Sequence, residues 1–153
     1  MKKILYIDMD NVLVNFKSAF KHFPKAVLAE YGDDADDIPG IFARMDPMPG
    51  AIEAYHELSQ LFDTYILSTA PWRNPSAWSD KVEWVHRHLG VGPDGPAHKR
   101  LILTHHKNLN YGDFLVDDRK KHGVERFAGK HIHFGEGQFR DWQAVMPHLR
   151  SQV

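Results

Sequence analysis

Four short apolar runs, each followed at once by residues able to do chemistry, constrain this chain more than any other feature of its sequence. Lys3-Ile4-Leu5-Tyr6-Ile7 leads into Asp8-Met9-Asp10-Asn11-Val12, and Thr64-Tyr65-Ile66-Leu67-Ser68 into Thr69-Ala70-Pro71. Leu101-Ile102-Leu103 leads into Thr104-His105-His106-Lys107, and Phe114-Leu115-Val116 into Asp117-Asp118-Arg119. A strand that is apolar at nearly every position has both faces covered, which is the pattern of a parallel sheet. His131-Ile132-His133-Phe134 is a weaker fifth candidate. Helical patterns lie between the runs. Pro49-Gly50 opens one with Ile52, Tyr55, Leu58 and Leu61 or Phe62; another has Trp78, Val82, Val85 and Leu89, with Gly90 as its cap. Trp142, Val145, Met146 and Leu149 suggest a C-terminal helix, interrupted or bent by Pro147. Strands alternating with helices imply right-handed crossovers, hence an α/β, Rossmann-like parallel sheet with helices on both faces. At 153 residues the chain suits one domain, 1–153. Residues 17–48 break the alternation, being Phe-rich, then acidic, then punctuated by Pro and Gly; they read as a small cap inserted after the first strand.

Parallel strands present their carboxyl ends on one edge, where ligands bind near the point at which strand order reverses. That edge gathers Asp8, Asp10, Asp117 and Asp118 with the Thr69 hydroxyl and the Lys107 ammonium. Carboxylates so close repel one another, and a hard divalent cation relieves the repulsion. A donor set of oxygens alone favours magnesium over zinc, and magnesium pairs naturally with a phosphate. The matching chemistry is phosphoryl transfer to a carboxylate. Asp8 attacks phosphorus, Asp10 serves as acid and then base, and Thr69 and Lys107 hold the phosphoryl oxygens. The absence of cysteine excludes disulfide scaffolds and thiolate sites. Nineteen Lys+Arg against 20 Asp+Glu leave a net charge of −1, which argues against a nucleic-acid polymer as partner. The first apolar run ends at Asp8, too short for a signal h-region or a membrane span, so a cytoplasmic protein without membrane attachment is expected.

These motifs, in this order and at strand ends, resemble the four signatures of the haloacid dehalogenase-like phosphatases. Asp8 through Phe16, Pro47-Met48-Pro49-Gly50-Ala51, Thr69-Ala70-Pro71, Trp84-Val85 and Leu115 through Arg119 are similar to the 5′(3′)-deoxyribonucleotidases. The resemblance covers Ile4 to about Arg119, with an echo around Trp142. It implies a magnesium-dependent phosphatase of (deoxy)nucleoside monophosphates, with Asp8 as nucleophile and metal ligand. Asp10 would be acid/base and bind metal through its main-chain carbonyl, and Asp117 or Asp118 would complete the metal site. Thr69 and Lys107 would bind phosphate, and Phe16 would form part of the wall for the base. The chain departs from the pattern at Asn11, where a glycine is expected, at Ala70 for serine and at His106 for aspartate, and in a shorter cap. Asn tolerates positive φ where a turn requires it.

Other features have plainer readings. Phe16, Phe20 and Phe23 lie at core-stripe spacing, Asp33 to Asp37 suit a solvated turn, and Trp72 and Trp78 suit either pocket wall or packing. His131 and His133 share a strand face but have no third metal ligand beside them in sequence, and Arg119 to His122 suit a solvated loop. Two alternatives stand beside the nucleotidase: a phosphatase of another small phosphomonoester, and a non-catalytic phosphoryl-binding module like a receiver domain. Receivers carry their acceptor Asp on a middle strand, and the run ending in Ser68-Thr69 has none there.

Overall fold

A computed structural model describes all residues, Met1–Val153. The apolar runs become strands of one five-stranded parallel sheet: β1 (Ile4–Ile7), β4 (Asp63–Ser68), β5 (Leu101–Leu103), β6 (Phe114–Asp117) and β7 (Lys130–His133). Two short strands, β2 (Val14–Asn15) and β3 (Asp46–Pro47), pair antiparallel just after β1. The α-helices are α1 (Lys25–Tyr31), α2 (Ala51–Leu61), α3 (Pro75–Leu89) and α4 (Trp142–Arg150). None is long and apolar enough to cross a membrane.

Strand order is β5-β4-β1-β6-β7, so the chain grows outward from β1 in one direction and then returns to grow in the other. β1 is therefore the switch point, in register with Ile66 on one side and Val116 on the other through Ile7. The two faces are covered unequally: α2, α3 and α4 pack on one, and a short 3₁₀ turn lies on the other rather than the helices expected there. Leu5, Ile7, Ile66, Phe114, Val116 and Ile132 form the main core with buried residues of α2, α3 and α4. On the opposite face Tyr6, Leu67 and Leu115 meet only Val124, from a 3₁₀ turn over Val124–Arg126, and Phe127. Connection length explains the difference. A full crossover helix needs a dozen or more residues, and the links from β5 to β6 and from β6 to β7 have no room beyond that for a long one.

The C-terminal helix continues through Pro147 rather than stopping there. Asp141 caps its start by accepting the Ala144 N–H at 2.8 Å, and Trp142, Val145, Met146 and Leu149 are buried as their spacing implies. In α3 the buried face differs from the expected one. Val82 is exposed, and Ala77, Lys81, Trp84, Val85 and Leu89 face inward. Residues 16–45, bracketed by β2 and β3, fold as α1 and three 3₁₀ stretches that pack on α3 through Ile41–Arg44. The acidic run is the 3₁₀ stretch Gly32–Asp37 rather than a plain turn.

Trp142 ties the last helix to the loop after β1. It is 2 % exposed, and its indole N–H donates to the Val12 carbonyl at 2.8 Å. Trp142→Ala should cost ~3–5 kcal/mol of stability, with Trp142→Phe losing less because it keeps most of the packing. Urea unfolding of the two variants measures this, and equal losses would place the energy in the hydrogen bond.

Candidate active site

The carboxyl ends of β1, β4, β5 and β6 open into a cavity of about 430 Å³. Every candidate named from the sequence lines it: Asp8, Asp10, Phe16, Thr69, Lys107, Asp117 and Asp118. Asp8 directly follows β1, and its N–H donates to the Val116 carbonyl at 2.9 Å, locking its backbone to β6. The chain then turns sharply, with the N–H groups of Val12, Leu13 and Val14 all donating to the Met9 carbonyl. Asn11 takes φ 59°, the left-handed conformation that its position in place of glycine suggested.

Lys107 is the centre of charge. It is 3 % exposed, and its Nζ lies 3.0 Å from Asp8 Oδ1 and 2.5 Å from Asp117 Oδ2. Burial alone would lower the ammonium's pKa, but Asp8 and Asp117 outweigh burial and hold it above its ordinary value. The Lys107 N–H donates to the His122 carbonyl at 2.7 Å. Gly123, at φ +89°, follows so closely that a β-carbon there would sit 2.9 Å from the Lys107 and Asn108 nitrogens. Only glycine suits both the angle and the approach.

Carboxylate oxygens of Asp8, Asp117 and Asp118 lie within 4.8 Å of one another. Burial, then the charge of Asp8, pushes Asp117 up to about 6; burial, Asp8 and Asp117 push Asp118 up to about 7. Three converging acids with an oxygen-only donor set fit a magnesium ion, which would relieve their repulsion. The Asp117–Asp118 turn is held from several sides. Arg119 N–H donates to Asp117 Oδ1, and His131 and His133 place their Nε2 atoms 2.9 Å from the Asp117 and Asp118 carbonyls. The histidines therefore brace the acidic turn, stacked on each other with centroids 5.2 Å apart.

Asp10 has a partner that the sequence reading missed. Lys81, 1 % exposed, donates to Asp10 Oδ1 and Ser68 Oγ, each at 3.0 Å, and its Nζ lies 4.5 Å from the Phe42 ring centroid. Desolvation in the cleft raises the Asp10 carboxyl above its ordinary value, with Lys81 opposing and Asp8 reinforcing the shift. A lysine within the inward stripe Ala77, Lys81, Trp84 was the available signal, hidden by counting Val82 as the core position. Thr69 Oγ1 donates to the Thr104 carbonyl at 2.7 Å, so its proton is engaged within the protein at the cavity wall. Phe16 is half-buried, in edge contact with Phe20 and Phe42. Asp33, Asp36 and Asp37 also line the cavity, opposite in charge to Arg73, Arg119 and Lys121.

The family model described as "5' nucleotidase, deoxy (Pyrimidine), cytosolic type C protein" matches residues 36–146. The chain belongs to this family. A Vibrio phage KVP40 protein named "Putative 5'(3')-deoxyribonucleotidase" is 53 % identical over 151 residues, spanning 99 % of this chain and 86 % of that one. The Homo sapiens "5'(3')-deoxyribonucleotidase, cytosolic type" is 29 % identical over 142 residues, covering 74 % of this chain and 69 % of its own. The family is one of phosphoric monoester hydrolases. In fold the chain is similar to the "putative HAD-hydrolase YfnB" of Bacillus subtilis, whose crystal structure is bound to magnesium. The TM-score is 0.63 at 11 % identity, covering 97 % of this chain and 99 % of YfnB.

Removing the buried ammonium should expose how much the acids depend on it. Lys107→Met should cost ~3–5 kcal/mol of stability without added cation, because it leaves carboxylates buried and unpaired. Adding Asp117→Asn should restore part of that loss. A double-mutant cycle by urea unfolding measures the coupling, and strict additivity of the two substitutions would contradict it.

Proposed function

We propose that this deoxyribonucleotidase-family chain hydrolyses (deoxy)nucleoside monophosphates through an aspartyl-phosphate on Asp8, with magnesium as cofactor. The observation that carries the reading is Asp8 itself. Asp8 is buried, lines the cavity, and places its carboxylate beside both the Lys107 ammonium and the acidic pair Asp117–Asp118. Asp8, Asp117 and Asp118, with the Asp10 main-chain carbonyl, would hold magnesium. When bound, it would neutralise the acids and draw charge from the phosphoryl oxygens.

The remaining chemistry belongs to the side chains. A carboxylate oxygen of Asp8 attacks phosphorus, forming the Asp8–phosphoryl bond as the phosphorus–ester oxygen bond breaks. Asp10, its pKa raised by desolvation, gives its proton to the departing alkoxide. Asp10 then takes a proton from the water that cleaves the acyl phosphate, returning both acids to their starting states. Lys81 fixes the Asp10 carboxyl during both transfers, Lys107 offsets charge on the phosphoryl group, and Thr69 contacts a phosphoryl oxygen. Residues 17–48 act as a small cap within one catalytic domain, and Phe16 supplies part of the wall against the base. A chain without cysteine, related to a human enzyme of cytosolic type, suits work in the cytoplasm.

Phosphate release from a panel of nucleotides and sugar phosphates, with magnesium and with EDTA, tests the reading. Turnover should favour nucleoside monophosphates and vanish with EDTA; turnover that survives the chelator would remove the metal. Asp8→Asn should abolish turnover and leave the fold intact, and wild-type release by that variant would exclude the covalent route. Asp10→Asn should slow hydrolysis of an alkyl phosphate far more than of p-nitrophenyl phosphate, whose leaving group needs no proton. Magnesium with beryllium fluoride should raise Tm through occupancy of the native state, by more than magnesium alone.

A further inference from the structure

We infer that Trp72 is the stacking platform for the nucleoside base, set on the sheet side of the cavity and facing the substrate from the same loop that carries Thr69. The inference rests on the nucleotidase reading above and adds the residue that recognises the base. Trp72 is 80 % exposed, whereas Trp84 and Trp142 are buried. An indole left bare at a cavity wall forgoes a large gain from burial, and a flat aromatic ligand would recover it.

The turn that carries that ring is pinned to its surroundings. The Asn74 N–H donates to the Pro71 carbonyl at 3.2 Å, closing a turn with Trp72 and Arg73 at its tip. Asn74 is itself buried, and its Nδ2 donates to the Asp36 and Ile38 carbonyls at 2.9 and 3.0 Å. At the other end Trp78 donates its indole N–H to the Pro71 carbonyl at 3.3 Å. Trp72 has one aromatic neighbour, His105, in edge contact at 6.1 Å, and most of the indole stays uncovered. A platform carried on a turn already in place leaves less of the chain to order when a ligand stacks on it.

The insertion offers less. Ile41 and Phe42 are buried in the core, and Phe16 is half-covered by its contacts with Phe20 and Phe42. Trp72 is thus the largest bare π-surface lining the cavity that contains Asp8. Every base has a π-face, so such a platform registers that a base is present rather than which one.

The test compares kcat/KM for deoxythymidine 5′-monophosphate with that for 2-deoxyribose 5-phosphate, which keeps the sugar and phosphate and lacks the base. Trp72→Ala should shrink the nucleotide preference by roughly tenfold or more, as expected for loss of a stacked base, and Trp72→Phe should restore most of it. Titration with thymidine should quench wild-type tryptophan fluorescence, and Trp72→Phe should remove most of that quench. A wild-type preference retained in full by Trp72→Ala would overturn the inference and leave the nucleotidase reading standing. A wild type that turns over both esters equally well would overturn both.

Discussion

One ammonium between two carboxylates organises this site. Asp8 and Asp117 close adjacent central strands, β1 and β6, where repulsion between their charges opposes the sheet register that brings them together. Lys107 reaches both from the loop after β5, and its own backbone is fixed by the His122 carbonyl. Burying three charges is tolerable only because the geometry pairs them closely. The third acid, Asp118, has no such partner; burial, then the charges of Asp8 and Asp117, raise its pKa. The site is electrostatically incomplete in the direction that a divalent cation corrects.

Lys81 plays the second structural part from the opposite side. It enters from α3, passes beneath the inserted segment at Phe42, and holds Asp10 against Ser68 at the end of β4. Two buried lysines thus separate the acids after β1. Asp8 is paired toward β6 and Asp10 toward β4, although only one residue lies between them. Carboxyls drawn into different environments can take different protonation states, as the proposed roles of nucleophile and general acid require.

The sheet was legible because burial on both faces writes itself as unbroken apolar runs, and the clustering of the candidate residues was legible because they sit where those runs stop. Asn11 was legible too, its φ of 59° being what a residue in a glycine's place must accept. Lys81 was not, because periodicity ranks positions by hydropathy and passes over a lysine whose stem packs in the core while its charge meets an acid 71 positions away. For the same reason Val82 seemed a core residue and proved exposed. Nor could local pattern show the thin face of the sheet, since cover there depends on how little chain the later crossovers contain. The histidines of β7 carried no motif at all: their partners are main-chain carbonyls, which every sequence has.

The inserted segment is joined to the sheet domain along its length. Asn74 grips the carbonyls of Asp36 and Ile38, and Ser76 Oγ accepts the Gly40 N–H at 3.0 Å. Arg87 and Trp84 donate to the carbonyls of Ala43 and Met45 at 2.8 and 2.9 Å. Each of these bonds engages backbone, so side-chain changes within the insertion leave them in place. Helix α3 and the turn before it therefore set the position of one cavity wall while also supplying Lys81 to Asp10. In the proposed mechanism, recognition and proton transfer share that support. A change in the N-terminal half of α3 should reach both, whereas one in the strand-end acids should reach the chemistry first. Selectivity in such a site depends on the shape and charge of walls already in place, and the short insertion suits that arrangement because it has little chain to spare for closure.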